Sequence, residues 1–215
     1  QHGVEKVTRW MRGVDNLKFN PSHRNNFWRY RFGAPEKIIV GFVGRLAREK
    51  QVERLAEVAQ IKNVSIVIVG DGPCREKLER LMPEAHFTGF STGNELSQLY
   101  ASFDAFAHTG VDETFCQSVQ EALASGVPVI APAVGGPLDL VQHGLNGFLW
   151  SPHRNDTLFE SVKEIVTNHA VRKLCANNAR STVAHRTWDS VMAELVEHYR
   201  SVITGDKDVK AEVAS

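Results

Sequence analysis

The run KIIVGFVG at 37–44 is apolar at consecutive positions, rich in β-branched residues and closed by glycine, the pattern of a strand buried on both faces. Val52, Leu55, Val58 and Ala59 then recur at helical spacing and predict a helix over 50–60. VSIVIVG at 64–70 repeats the strand pattern, and DGP turns the chain into a helix carrying Leu78, Leu81 and Met82. The alternation continues with a short strand at 85–89, a helix over 94–102, a strand at 103–109, a helix over 116–125 and a strand at 127–131. Such alternation predicts an α/β fold, a Rossmann-like doubly wound parallel sheet covered on both faces. A turn-rich stretch with one short strand follows, and then C-terminal helices over 155–168, 170–183 and 188–203.

A chain of 215 residues is long enough to bury a substantial core. Its 25 basic side chains are matched by 25 acidic ones, so no overall positive field attracts nucleic acid or an anionic membrane. Affinity for anions must be local. Cys74, Cys116 and Cys175 are odd in number, widely spaced and without paired metal-ligand spacing, which predicts free thiols in a reducing cytoplasm. No apolar run is long enough to cross a bilayer and no signal pattern opens the chain, so neither a secreted nor a membrane-spanning protein is expected.

In sheets of this kind ligands bind outside the carboxyl ends of the strands, where loops lead into helices. GRLAREK follows the first predicted strand. Gly44 permits a tight turn, and Arg45 and Lys50 are expected at the start of the next helix, where unpaired N–H groups and the helix dipole already favour a phosphate. The loop lacks G-x-G-x-x-G, GDG at 70–72 lacks a third glycine, and no P-loop sequence is present, which disfavours a nicotinamide enzyme or a P-loop ATPase.

The second stretch is ETFCQSVQEALASG. Glu113 falls in the loop after the 103–109 strand, and Glu121 lies two turns into the following helix. Val119, Ala122 and Leu123 share the core side of that helix while Gln117 and Glu121 lie on the other. An ionised carboxylate accepts two hydrogen bonds from a vicinal diol, so the two acids could bracket a sugar-bearing diphosphate whose phosphates meet the N–H groups of Cys116, Gln117 and Ser118. Taken alone, the spacing fits equally an acid complementing the helix dipole beside a solvated glutamate, and Arg45 and Lys50 fit solvated surface charges.

Together GRLAREK and ETFCQSVQEALASGVPVIAPAVGGPLDLV resemble the nucleotide-sugar half of a retaining glycosyltransferase of family 4, which has the two-domain GT-B fold. The resemblance spans about 14–201, and ETFCQSVQEALASG with the preceding HTG is most similar to actinobacterial GDP-mannose-dependent α-mannosyltransferases acting on lipid acceptors. It implies that Arg45 and Lys50 hold the donor diphosphate and offset charge on the leaving group. Glu113 would contact the transferred sugar, Glu121 the ribose hydroxyls, the N–H groups at Phe115, Cys116, Gln117 and Ser118 sugar or phosphate, and backbone at Phe90 the base. Residues 1–36 resemble the interdomain linker, 37–186 the donor domain and 187–204 the helix that crosses back over the junction, with 205–215 a polar tail. The chain carries no second strand-helix series, so the acceptor domain is expected outside it, and donor binding without efficient transfer is expected of the chain alone.

Two departures stand out. Many relatives have glycine where this chain has Cys116, and Pro-Ser where it has His108 and Thr109. His108 reads as a strand-end packing residue, and nothing near Cys116 in sequence supplies the base of a nucleophile. The D-x-D of Asp206 and Asp208 lies in the polar tail rather than after a strand, so no metal and no cofactor beyond the nucleotide-sugar donor is expected, as the GT-B resemblance also implies. The partners expected are that donor and a lipid or glycan acceptor, with no nucleic acid and only peripheral contact with the cytoplasmic face of a membrane. The competing readings are a UDP-sugar transferase of the same family, a GT-B-type sugar-nucleotide epimerase and a non-catalytic nucleotide-binding module.

Overall fold

The computed structural model describes residues 10–154 and 157–204. Among them six strands form one parallel sheet: β1 Ile38–Val43, β2 Val64–Val69, β3 His86–Gly89, β4 Ala105–Ala107, β5 Val129–Pro132 and β6 Gly147–Trp150. Their spatial order is β3-β2-β1-β4-β5-β6, the doubly wound arrangement expected from the alternation. The direction of winding reverses between β1 and β4.

Successive residues of β1 and β2 feed opposite cores. Ile39, Val67 and Val69 pack with Val119, Ala122 and Leu123 and with Ala179 and Val183. Val40, Phe42, Ile66 and Ile68 pack on the other face with Val162, Ile165 and Trp150. Burial on both faces is why these strands read as unbroken apolar runs rather than alternating ones. The helices that supply the two layers, in chain order, are α1 Asn26–Arg31, α2 Leu55–Val58, α3 Arg75–Leu81, α4 Gly93–Ser102, α5 Gln117–Ala124, α6 Thr157–Thr167, α7 His169–Val183 and α8 Trp188–Thr204.

The helix expected over 50–60 is not continuous. Two 3₁₀ turns, Arg48–Lys50 and Val52–Arg54, precede the four-residue α2, and Gln51 between them is left-handed with φ 48°. The apolar spacing survives because Val52, Leu55 and Val58 are still buried, but the first turns are wound tighter so that Leu46 and Ala47 can also enter the core. The strand expected over 103–109 is confined to Ala105–Ala107, while the backbone N–H of His108 still donates to Ile130 O at 2.8 Å.

The described part of the 1–36 segment packs into the sheet domain. Val14, Phe19, Phe32 and Ala34 are buried in the same cluster as α5 and α7. The Asn25 side chain caps α1 by accepting from Phe27 N–H. Asp104, just before β4, ties this segment down: Oδ1 accepts from Arg24 at 2.8 Å and Arg29 at 2.9 Å, and Oδ2 from the Ile39 N–H at 2.9 Å. Further along, Val14 N–H donates to Arg186 O at 2.8 Å and the Asn16 amide to Ala184 O at 3.1 Å, so the start of the described chain lies beside the turn between α7 and α8.

Of the apolar side of α8, Val191 is buried, whereas Trp188, Val196 and Tyr199 are exposed. Asp206 and Asp208, with the whole predicted tail, lie outside the described residues.

Candidate functional site

Loops that leave β1 and β4 flank the point where the strand order reverses, and both carry the charged residues singled out from sequence. Close approach of β1 and β2 at their carboxyl ends sets the first wall. Gly70 has φ +136°, and a Cβ there would stand 1.9 Å from Gly44 O, so only glycine lets the two backbones meet. Glycine at 70 therefore serves packing, not a dinucleotide fingerprint. Beside it a groove of ≈ 470 Å³ is lined by residues that include Gly44, Arg45, Gly70, Phe90 and Leu96. Phe90 is 79% exposed at its rim. Arg45 is exposed and makes no ion pair among the described residues.

Lys50 does not open a helix as expected. It ends the first 3₁₀ turn, and its carbonyl accepts from the Thr109 hydroxyl at 2.6 Å. That bond ties the loop after β1 to the end of β4. The Lys50 ammonium reaches across the switch point and pairs with the Glu113 carboxylate, with both side chains largely shielded. A salt bridge here is enclosed enough for charge to matter and open enough for a ligand to compete for either partner.

The Glu113 loop is held from behind. Gly136 N–H donates to Glu113 O at 2.9 Å, and a Cβ on Gly136 would lie 2.5 Å from Thr114 O. Sequence reading missed this support; the paired glycines in AVGGPLD were its available signal. Beyond the loop, α5 opens with N–H groups of Phe115, Cys116, Gln117 and Ser118 that donate to no acceptor among the described residues. Unpaired N–H groups at a helix start, in the loop that carries Glu113, are of the kind that can meet an anion. Phe115 is exposed, with the Arg12 guanidinium 5.0 Å from its ring centroid, and Phe115 O accepts from the Gln120 amide at 3.2 Å.

Glu113 and Glu121 have different surroundings. Glu121 is half-buried rather than solvated; burial raises its pKa, opposed by the Tyr100 hydroxyl, Lys18 and Gln117. The Tyr100 hydroxyl is itself fully buried without a hydrogen bond of good geometry, and burial first and Glu121 second push its pKa well up. The Gln117 amide turns away to donate to Gly13 O at 3.1 Å.

His108 and Cys116 sit under Glu113. His108 is buried and lowered to about 4 by burial, with Lys50 adding to the fall and Glu113 opposing it. Trp150 Nε1 donates to the His108 backbone oxygen at 3.3 Å, a bond that does not involve the imidazole. Cys116 is raised to about 12, by burial first and then by Glu113, so it is a thiol and no activated nucleophile. Its φ of 48° is left-handed, the conformation glycine adopts most readily, which accounts physically for glycine at this place in other sequences. Among the described residues, His108, Glu113 and Cys116 form the one group whose side chains could share a metal ion.

Comparison with known proteins places the chain in a family. The family model for glycosyl transferases group 1 matches residues 25–182. The GDP-mannose-dependent alpha-mannosyltransferase of Mycobacterium tuberculosis is 48% identical over 207 residues, covering 93% of this chain and 52% of that protein. That of Corynebacterium glutamicum is 44% identical, covering 94% of this chain and 49% of the relative. The crystal structure of Anabaena Alr3699/HepE in complex with UDP and glucose superposes with a TM-score of 0.81 at 26% identity, over 93% of this chain and 58% of that one. The chain thus spans about half the length of the curated relatives it matches. With the matched region taking in the whole sheet and both charged loops, the chain belongs to the glycosyl transferases group 1 family, and its Rossmann-like sheet matches part of a GT-B glycosyltransferase structure.

Proposed function

We propose that this chain is the nucleotide-sugar-binding domain of a retaining glycosyltransferase that transfers mannose from GDP-mannose to a lipid or glycan acceptor. The observation that carries the reading is the Lys50–Glu113 pair, which joins the loops after β1 and β4 across the switch point. The choice of donor follows the mannosyltransferase relatives.

Each residue has a role in this reading. The nucleoside occupies the groove of Gly44 and Phe90, with Glu121 on the ribose hydroxyls. The diphosphate meets Arg45, Lys50 and the free N–H groups from Phe115 to Ser118, and Glu113 faces the sugar. Arrival of the diphosphate gives the Lys50 ammonium a second anion and releases Glu113 to accept from sugar hydroxyls. Among the described residues, Glu113 is the carboxylate that pairs with Lys50 across the switch point, and in this reading it contacts the sugar without bonding to it. The reaction is therefore a front-face displacement: the acceptor oxygen bonds to the anomeric carbon as the bond to the β-phosphate oxygen breaks, and that phosphate takes the acceptor proton. Arg45, Lys50 and the start of α5 stabilise the departing charge. The acceptor groups lie in a further domain, so the chain alone binds donor without efficient transfer. We place the whole protein in the cytoplasm, touching a membrane only through its acceptor.

Calorimetric titration of the chain with GDP-mannose and, in parallel, UDP-glucose tests the reading. Binding of GDP-mannose that is lost in Glu121→Ala is the expected result. Preference for UDP-glucose, the outcome suggested by the Anabaena complex, would overturn the donor and keep the site. Binding of neither by the full-length protein would overturn both.

A further inference from the structure

We propose that His108, Glu113 and Cys116 form a binding site for a thiophilic divalent cation of the zinc class, with water in the fourth position. One ligand atom from each residue lies within 4.8 Å of the other two. Around a tetrahedral ion with bonds of about 2.0–2.3 Å, such atoms stand about 3.3–3.8 Å apart. Closing the site thus needs each side chain to shift by about an ångström or less. Imidazole nitrogen, carboxylate oxygen and thiolate sulfur together match this class of ion rather than magnesium or calcium, which take oxygen alone.

Two features mark the cluster as more than proximity. His108 is 3% exposed, and the Gly110 backbone stands close to its ring without completing a hydrogen bond of good geometry at either nitrogen. A buried imidazole so poorly satisfied lacks the full pairing that buried polar groups normally have. Cys116 keeps a side chain where the backbone is left-handed, a conformation that costs a residue with a Cβ about 1–2 kcal/mol. Glycine would remove that cost and the sulfur with it. The strained residue brings a thiol beside the under-satisfied histidine, and all three ligands come from the single connection between β4 and α5.

On binding, the Cys116 S–H bond breaks, the sulfur bonds to the metal and the proton passes to solvent. Glutamate and thiolate together balance the two charges of the ion. The opposing group is the Lys50 ammonium, which holds Glu113 Oε1 but is a quarter exposed and free to swing into solvent. Metal binding would take Glu113 from Lys50, so the ion would exclude the nucleotide sugar; that consequence rests on the donor-site reading, whereas the site itself does not.

Cobalt(II) is the probe, titrated into the 215-residue chain under a non-thiol reductant and followed by absorption. The expected result is one equivalent bound, with intense tetrahedral visible bands and a near-ultraviolet thiolate-to-cobalt band, both bleached by zinc. Cys116→Gly, which the backbone accommodates, should abolish the thiolate band while leaving the far-ultraviolet circular dichroism unchanged. Glu113→Gln, which keeps all three cysteines, should weaken binding at least tenfold. No thiolate band in the native chain, or one that survives Cys116→Gly through Cys74 or Cys175, overturns the proposal.

Discussion

Replacing Gly70 by alanine separates two costs that usually arrive together. The new Cβ would start 1.9 Å from Gly44 O, whereas a relaxed carbon–oxygen contact is about 3.3 Å, so the ends of β1 and β2 must part by about 1.4 Å. Its φ of +136° lies outside the left-handed helical region and adds a backbone cost of about 1–3 kcal/mol, and the steric displacement about 1–3 kcal/mol more. A total loss of about 2–6 kcal/mol is expected. Gly144, with φ +80° and nothing within 4 Å of its would-be Cβ, supplies the control: Gly144→Ala should lose only the backbone part, about 1–2 kcal/mol. Urea unfolding of both variants gives the comparison directly. Because Gly44 and Gly70 share a groove wall, Gly70→Ala should also weaken GDP-mannose binding by about tenfold or more, with Gly144→Ala unchanged. Equal stability of the two variants, within about 0.5 kcal/mol, would refute the close approach as the reason for glycine at 70.

Three further outcomes are expected. In the full-length protein Lys50→Ala should lower kcat by about 100-fold or more and donor affinity by less, because its charge is needed most as the diphosphate departs; equal losses in steady-state and binding measurements would contradict that role. His108 titrates near 4 when folded against 6.5 otherwise, so between those values the unfolded chain holds a proton that the folded one refuses. Stability should therefore fall as pH drops through that window, by up to about 3 kcal/mol, and His108→Gln should flatten the urea midpoint against pH. Asp104→Ala removes the charged acceptor that Arg24, Arg29 and the Ile39 N–H share, while the arginines keep the carbonyls of Ala101, Phe103 and Ser102, and denaturation should show a loss of about 1–3 kcal/mol.

The sheet was legible because doubly buried strands advertise themselves as β-branched runs, and the loops after β1 and β4 were singled out because ligands of such sheets bind outside the strand ends. What sequence could not reveal depends on tertiary contact. The helical spacing at 52–59 is genuine, but nothing local marks Gln51 as left-handed or Lys50 as part of a 3₁₀ turn. The aromatic stretch that becomes α1 has its Asn25 cap, but its helical character depends on packing beside α4 and on the arginines that reach Asp104. Thr109 holds Lys50 through a backbone oxygen from a distant loop, a bond with no signature in either segment. Glu121 showed the limit of the helical wheel: it faces away from the α5 core positions, yet Tyr100 and Lys18 from other elements close around it.

Residues 14 and 16 are fastened to residues 184 and 186, so the described chain enters the domain and passes into α8 at one edge. Mechanically the domain is a pendant rather than a link. Tension applied across those two points would first load one backbone bond, Val14 to Arg186, and one side-chain bond, Asn16 to Ala184, at the rim and would not shear the six strands. Pulling at that edge leaves the walls around Gly44, Lys50 and Glu113 at their spacing.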